Sequence, residues 1–334
     1  MTRQSAQEGA PLPRARTFAA IAVALGVVLT GSPASAKETL RVGHFPNVTH
    51  VQALVARQME RQGKSWFGDR LGKDVVIEWY AYNAGPSAME AVFTKSIDLS
   101  YVGPSPALNA FVRSRGAEVR IVSGAVNGAS SFVVQKDSGL AKPADFRGKR
   151  IGTPQFGNTQ DVAARAWLMS GGLRITQTGG DAHVVPTANP DQLTLFLRKD
   201  LDAVWTVEPW VSRLEREAGG EILIDEKDTV TTTLVARAQF LTEKRDLVRR
   251  FVAAHRDLTE WIRQYPEQAQ SLARAELRAT FRIDLTADLI AHAWPRMTPT
   301  TDASPAAFEI FVTNAKKTGF LRDVPDLSRL FETP

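Results

Sequence analysis

The chain has 334 residues, 43% of them hydrophobic and 23% charged, enough for two domains with their own cores and unlike a disordered tract. Of the net charge of +5, residues 1–36 contribute +2 (Arg3, Arg14 and Arg16 against Glu8); the remaining +3 is interspersed with acids, as in "RLEREAGGE", and forms no stripe for nucleic acid. The absence of cysteine excludes a disulfide framework, a thiolate metal site and a cysteine nucleophile.

Residues 1–36 read as an export signal. Arg14 and Arg16 precede the apolar run "TFAAIAVALGVVLTG", and Ala34-Ser35-Ala36 supplies a small-residue cleavage site before Lys37. The run is shorter than the ~20 residues of a membrane span. With no cysteine to carry a lipid at the cleavage point, the expected product is soluble in a bacterial periplasm.

The remaining chain contains a repeat. "RVGHFPNVTHVQALVA" (41–56) parallels "RIGTPQFGNTQDVAARAWL" (150–168): a short strand with a glycine, a turn holding Asn and Thr, then a helical pattern. "GPSAMEAVFTKSIDLSYVGP" (85–104) parallels "NPDQLTLFLRKDLDAVWTVEP" (189–209), with Pro86 to Asp98 spaced as Pro190 to Asp202. Proline suits a first helical turn. Met89, Val92 and Phe93, like Leu193, Phe196 and Leu197, have the spacing of a buried helical face. Each half therefore predicts alternating strands and helices: an α/β fold of two lobes with mainly parallel sheets.

Between the halves, "SGAVNGASSF" (123–132) and the Thr-rich end of "ILIDEKDTVTTTLVARAQFL" (222–241) predict two hinge crossings, near 124–130 and 226–236. The expected division is 37–124 plus 236–334 for the first lobe and 125–235, hinge segments included, for the second. From Leu241 onward the spacing of Leu247, Phe251, Leu258 and Ile262 predicts helices that return to the first lobe.

The polar turns fall at the carboxyl ends of predicted strands, where ligands collect in open α/β sheets. Helix starts leave backbone N–H groups unpaired and carry a positive dipole end, so they can hold an anion without lysine or arginine. Asn158, Thr159 and Gln160 stand at one such start, Asn47, Thr49 and His50 at its counterpart, and Ser105 at a third. Any one of these turns by itself is explained as well by helix capping. Glu208 and Trp210 offer either a carboxylate and an aromatic wall, or a brace and a core residue. Because Glu208 would repel an anion, bracing a donor or meeting a ligand amino group suits it better. The five histidines lack metal-ligand spacing.

Together, "GHFPNVTHVQALVA", "YNAGPSAMEAVF", "IDLSYVGPSPALNAF", "FRGKRIGTPQFGNTQDVAARAWL", "AVWTVEPWVSRL" and "TTTLVAR" resemble the nitrate/sulfonate/taurine branch of ABC-transporter solute-binding proteins, the aliphatic-sulfonate binders above all. That resemblance implies a type II periplasmic-binding-protein fold, a monomer that closes on a small anionic organic solute, and an ABC permease with its ATPase as partner. It places ligand contacts at Phe45, Asn47, Thr49, His50, Asn83, Gly85, Gly103, Pro104, Ser105, Gln155, Asn158, Thr159, Gln160, Glu208 and Trp210, and it implies no cofactor and no metal. Alternatives are a nitrate or bicarbonate binder, for which no matching lysine is found, and a binder of a neutral heterocycle such as a thiamin pyrimidine precursor, gripped by Phe45, Tyr101, Phe156 and Trp210. An enzyme of the pyrimidine-synthase type is disfavoured by the missing cysteine motif, and G-x-S-x-G and H-E-x-x-H are absent. "QGKSW" lacks the first glycine of a P-loop, since Gln58 stands there.

Overall fold

The computed structural model describes residues 37–323 and 326–334; the expected export signal lies outside them. Among the described residues no helix is long and apolar enough to cross a membrane.

In chain order, the first half contains β1 (Glu38–His44), a 3-10 turn at Val48–His50, α1 (Val51–Arg61), α2 (Gly68–Leu71), β2 (Val75–Ala81), α3 (Gly85–Phe93), β3 (Leu99–Val102), α4 (Pro104–Arg113) and β4 (Val119–Gly128). The second holds β5 (Ser130–Val134), β6 (Arg150–Thr153), α5 (Thr159–Ser170), β7 (His183–Pro186), α6 (Asn189–Leu197), β8 (Ala203–Val207), α7 (Trp210–Ala218) and β9 (Glu221–Glu226). The chain then returns through β10 (Val230–Arg237), α8 (Ala238–Glu243), α9 (Arg245–Gln264), α10 (Pro266–Phe281), α11 (Ala287–Ala293), β11 (Met297–Pro299) and α12 (Glu309–Lys317).

Two sheets result, ordered β11-β4-β10-β3-β1-β2 and β7-β6-β8-β5-β9. Read from the β2 and β7 ends, the first five strands correspond one for one, and β11 is an addition to the first sheet. The repeated aspartates explain part of this likeness. Asp98 accepts the Arg41 N–H at 3.0 Å and Asp202 accepts the Arg150 N–H at 2.8 Å, each clamping the strand that opens its repeat, β1 or β6, to the strand that follows the aspartate.

The sheets are mixed rather than mainly parallel. β1 pairs parallel with β2 and β3, and β6 with β7 and β8, but β10 and β5 run antiparallel to both their neighbours. Both antiparallel strands are those entering from the other half, and a strand arriving from the far side runs in the opposite sense. The exchanges occur at 128–130 and 226–230, inside the two segments expected to cross. At the first, Gly128 and Ala129 both adopt left-handed backbone, with φ of 75° and 59°; for alanine that conformation is strained.

The first sheet is covered by α1, α9 and α10, whose apolar faces meet Leu40, Val42, Leu99 and Leu234 in one core. On α9, Leu247, Phe251, Leu258 and Ile262 are all buried, as their spacing predicts. His255 on the same face accepts the Tyr101 hydroxyl at Nδ1 and donates from Nε2 to the Gly124 carbonyl at 2.9 Å. Burial pushes its pKa down to about 4, so it is a neutral structural histidine. A smaller core around Phe132, Phe146, Trp205 and Ile151 lies on the second sheet.

Candidate functional site

A narrow cavity of about 30 Å³ is lined by both halves. The first half contributes Phe45, Asn47, Thr49 and His50 from the turn after β1, Asn83 to Gly85 at the start of α3, Gly103 and Pro106 around the start of α4, and Thr231 and Thr232 from β10. From the second half come Pro154 and Asn158 to Gln160 at the start of α5, Asn189 as first residue of α6, and Val207 at the end of β8. No lysine, arginine, aspartate or glutamate lines it. The amino-terminal regions of α1, α3, α4, α5 and α6 surround the cavity with their positive dipole ends. α5 leaves the N–H groups of Thr159 and Gln160 open, whereas α4 contributes its dipole only, because Pro104 and Pro106 have no N–H and the Ser105 N–H goes to Thr159.

Local chemistry shapes each turn. Asn158 caps α5 by accepting the Asp161 N–H at 2.8 Å, while the Asp161 carboxylate receives Gly157 N–H at 2.9 Å, Thr153 Oγ1 at 3.1 Å and Arg165 Nε at 3.0 Å. Asp161 is therefore a strut that folds the 153–158 turn onto the helix, and its charge is consumed by Arg165. Capping and cavity lining coexist at Asn158. On the opposite side, the Phe45 N–H donates to His50 Nδ1 at 3.2 Å, which places the proton of the neutral ring on Nε2. Burial, with His44 nearby, holds the His50 pKa well below its usual value. Burial and the Arg57 guanidinium push His44 down to about 3, and the ring links Arg57 to the Phe45 carbonyl.

The halves also bond directly to one another around the cavity. Asn83 Nδ2 donates to the Pro154 carbonyl at 3.1 Å, Gln155 Nε2 to Ser87 Oγ at 2.8 Å, and Ser105 N–H to Thr159 Oγ1 at 3.4 Å. Val48 N–H donates to the Glu208 carbonyl at 3.1 Å. Gly103 leaves no room for a side chain: an added Cβ would stand 2.5 Å from Thr159 Oγ1.

Ten of the fifteen residues expected from the sequence line the cavity, namely Phe45, Asn47, Thr49, His50, Asn83, Gly85, Gly103, Asn158, Thr159 and Gln160. Pro104, Ser105, Gln155, Glu208 and Trp210 do not. Pro104 fills the first turn of α4, Ser105 and Gln155 reach across to the other half as described, and Ser105 Oγ is buried without a partner. Glu208 is fully buried facing α7 and the tail, where its carboxylate accepts Ser212 N–H at 3.1 Å, Ser212 Oγ at 2.9 Å and Arg296 at 2.8 Å. It braces rather than contacts. Burial raises its pKa, with the Ser212 and Arg296 bonds opposing. Trp210 packs in the core of the first sheet and donates Nε1–H to Asn47 Oδ1 at 2.9 Å.

Three polar lining residues were not expected: Asn189, Thr231 and Thr232. The repeat contained the signal for Asn189, since it aligns with Gly85. The threonines lie in a run read as a hinge crossing and as part of the family resemblance, but "TVTTT" is equally a strand pattern and singles out neither of them. Of the four aromatic residues considered for gripping a heterocycle, Phe45 lines the cavity. Tyr101 is bonded to His255 in the core, Phe156 packs on Phe320, and Trp210 holds Asn47.

A family model described as the NMT1-like family matches residues 33–279. The chain belongs to the NMT1-like family. Among curated relatives, this family member is 24% identical over 212 residues to the taurine-binding periplasmic protein of Escherichia coli K12, covering 59% of this chain and 63% of that one. It is 22% identical over 229 residues to a putative aliphatic sulfonates-binding protein of Bacillus subtilis 168, covering 66% and 67%. The match thus spans a little under two thirds of the first relative. Among solved structures, the alkanesulfonate-binding protein SsuA of Xanthomonas axonopodis pv. citri, bound to MOPS, superposes with a TM-score of 0.70 at 19% identity, covering 89% of this chain and 98% of that one. The two chains share one fold.

Proposed function

We propose that this NMT1-like protein is the periplasmic solute-binding component of an ABC importer, capturing a small sulfonate-type oxyanion between two lobes and delivering it to the permease. The observation that carries the reading is a cavity with no formal charge in its lining and five helix starts directed at it. Such dipoles favour an anion by electrostatics and hydrogen bonding together, and water is excluded where they act. With no cation to detach from, release to a permease is fast. The names of the matched relatives point the same way. Closure is a rotation about the paired segments 128–130 and 226–230, the sort of hinge that absorbs large backbone changes in a few residues. Export removes residues 1–36, and the product acts as a monomer.

Calorimetric titration with ethanesulfonate, nitrate and a hydroxymethylpyrimidine tests this. Ethanesulfonate is expected to bind, and at a hundred times its Kd to add about 2.7 kcal/mol of stability. Its affinity stays flat from pH 6.5 to 8, because His50, the titratable lining residue, is already neutral there. Binding of the pyrimidine alone, or a steep loss of ethanesulfonate affinity across that range, would contradict the proposal.

A further inference from the structure

The hydrogen-bonding sense of the cavity selects among sulfonates, an inference that rests on the function proposed above. The buried lining amides have their oxygens engaged. Asn47 Oδ1 accepts two donors, Trp210 Nε1 at 2.9 Å and Asn189 Nδ2 at 3.2 Å. Asn158 Oδ1 accepts Asp161 N–H at 2.8 Å, Gln160 Oε1 accepts Asn158 Nδ2 at 3.0 Å, and Asn189 Oδ1 accepts Thr206 Oγ1 at 3.2 Å. The one other lining amide, Asn83, is exposed at the rim.

Donors, by contrast, remain open. An indole N–H can only donate, so Trp210 fixes which end of the Asn47 amide is the oxygen and leaves its NH₂ as the free end; that Nδ2 makes no hydrogen bond to the described residues. His50 keeps a proton on Nε2 with no protein partner among them. Thr232 is 1% exposed, and its Oγ1 is buried without any partner, although the residue lines the cavity. A buried hydroxyl left unpaired costs stability unless something else completes it.

The two carboxylates adjacent in sequence to lining residues are already committed, Asp161 to Thr153, Gly157 and Arg165, and Glu208 to Ser212 and Arg296. A ligand ammonium would therefore meet the open N–H groups of Asn47 and His50, amide oxygens that each already hold a donor, and only the neutral hydroxyl of Thr232 as an unengaged buried acceptor, with no carboxylate in the lining. We infer that the cavity accepts sulfonates whose organic part is uncharged and rejects amino-substituted ones, and that Trp210 is the positioning residue that sets this sense through Asn47. Burying an ammonium without an anionic or strong acceptor partner is costly enough to make the discrimination large.

Paired calorimetric titrations with ethanesulfonate and taurine, which differ by one amino group, test the inference. Ethanesulfonate is expected to bind at least about 100-fold tighter. Equal affinities, or a preference for taurine, would overturn the inference while leaving a sulfonate binder in place; heat from neither ligand would remove the proposed function and the inference with it. Asn47→Asp keeps one oxygen for Trp210 and Asn189 and replaces the NH₂ with a second oxygen. This variant should lose ethanesulfonate and gain taurine, inverting the ratio, which a general loosening of the fold would not do. Trp210→Phe keeps an aromatic ring and removes the donor to Asn47, so the ratio should narrow about tenfold, the scale of one hydrogen bond. An unchanged ratio in both variants, each shown folded by circular dichroism, overturns the role of Asn47 and Trp210.

Discussion

Gly103→Ala is expected to weaken ethanesulfonate binding about 100-fold, or about 2.7 kcal/mol, with little change in the melting temperature of the unliganded protein. The backbone at Gly103 is ordinary extended chain, so alanine strains nothing locally. The new methyl instead meets Thr159 Oγ1 at 2.5 Å and Thr159 Cβ at 3.5 Å, atoms of the other half. Thr159 is β-branched in the first turn of α5 and cannot swing aside freely. The substitution thus acts on the approach of the lobes rather than on either lobe. Removing the obstructing oxygen is the control: Gly103→Ala with Thr159→Ala should bind more tightly than Gly103→Ala alone, even though Thr159→Ala by itself loses a cavity hydroxyl. Coupling of that sign is measured by a double-mutant cycle. Losses that simply add would show that the two residues do not meet when ligand is held.

Arg296→Ala should produce the largest loss of stability, about 3–5 kcal/mol, as for other buried ion pairs broken from one side. Arg296 lies just before β11 and donates to Glu208 at 2.8 Å and to Glu215 at 2.7 Å, while its carbonyl accepts the N–H of Ala129 at the first hinge segment. Glu208 is fully buried, so its charge would lose its cation with no access to water. The pair joins the turn between β8 and α7 to the tail of the chain, and a melting temperature lower by roughly 10 °C is the expected readout. Combining Arg296→Met with Glu208→Gln should recover most of the loss, since a neutral pair removes the uncompensated charge. A double variant as unstable as the single would mean that Arg296 acts through its packing or its contact with Glu215 instead.

These expectations separate what could be read in the residues from what could not. The repeat was visible because both halves need the same parts: a proline-started helix, an aspartate that clamps the next strand, and a polar turn before a helix. Those needs are local, so they leave local marks. The direction of β5 and β10 left none, because an antiparallel entry depends on which half a strand comes from rather than on its composition. Glu208 and Trp210 stood out as a carboxylate and an aromatic residue beside a polar turn, and both matter. Their partners, Arg296 and Asn47, lie 88 and 163 residues away in the chain, and only folding reveals that one is braced and the other is bracing. Thr232 illustrates the opposite limit. Nothing distinguishes it from its threonine neighbours until its hydroxyl is seen buried and unpaired beside the cavity.

Mixed origins also explain the tail. Segment 271–334 carries no recognisable motif, yet α11 packs on α7 and β11 closes the edge of the first sheet beside β4. The segment fastens the two halves near the hinge, a role that requires surface fit and a single arginine rather than a pattern.

The most direct measurement is a crystal structure of the protein with ethanesulfonate. The sulfonate oxygens should lie within hydrogen-bond distance of Asn47 Nδ2, Thr232 Oγ1 and the first N–H groups of α5, with no lysine or arginine side chain touching them. A sulfonate found instead on an arginine, for instance in the open groove beside Arg274 and Arg278, with the cavity between the halves empty, would contradict the account.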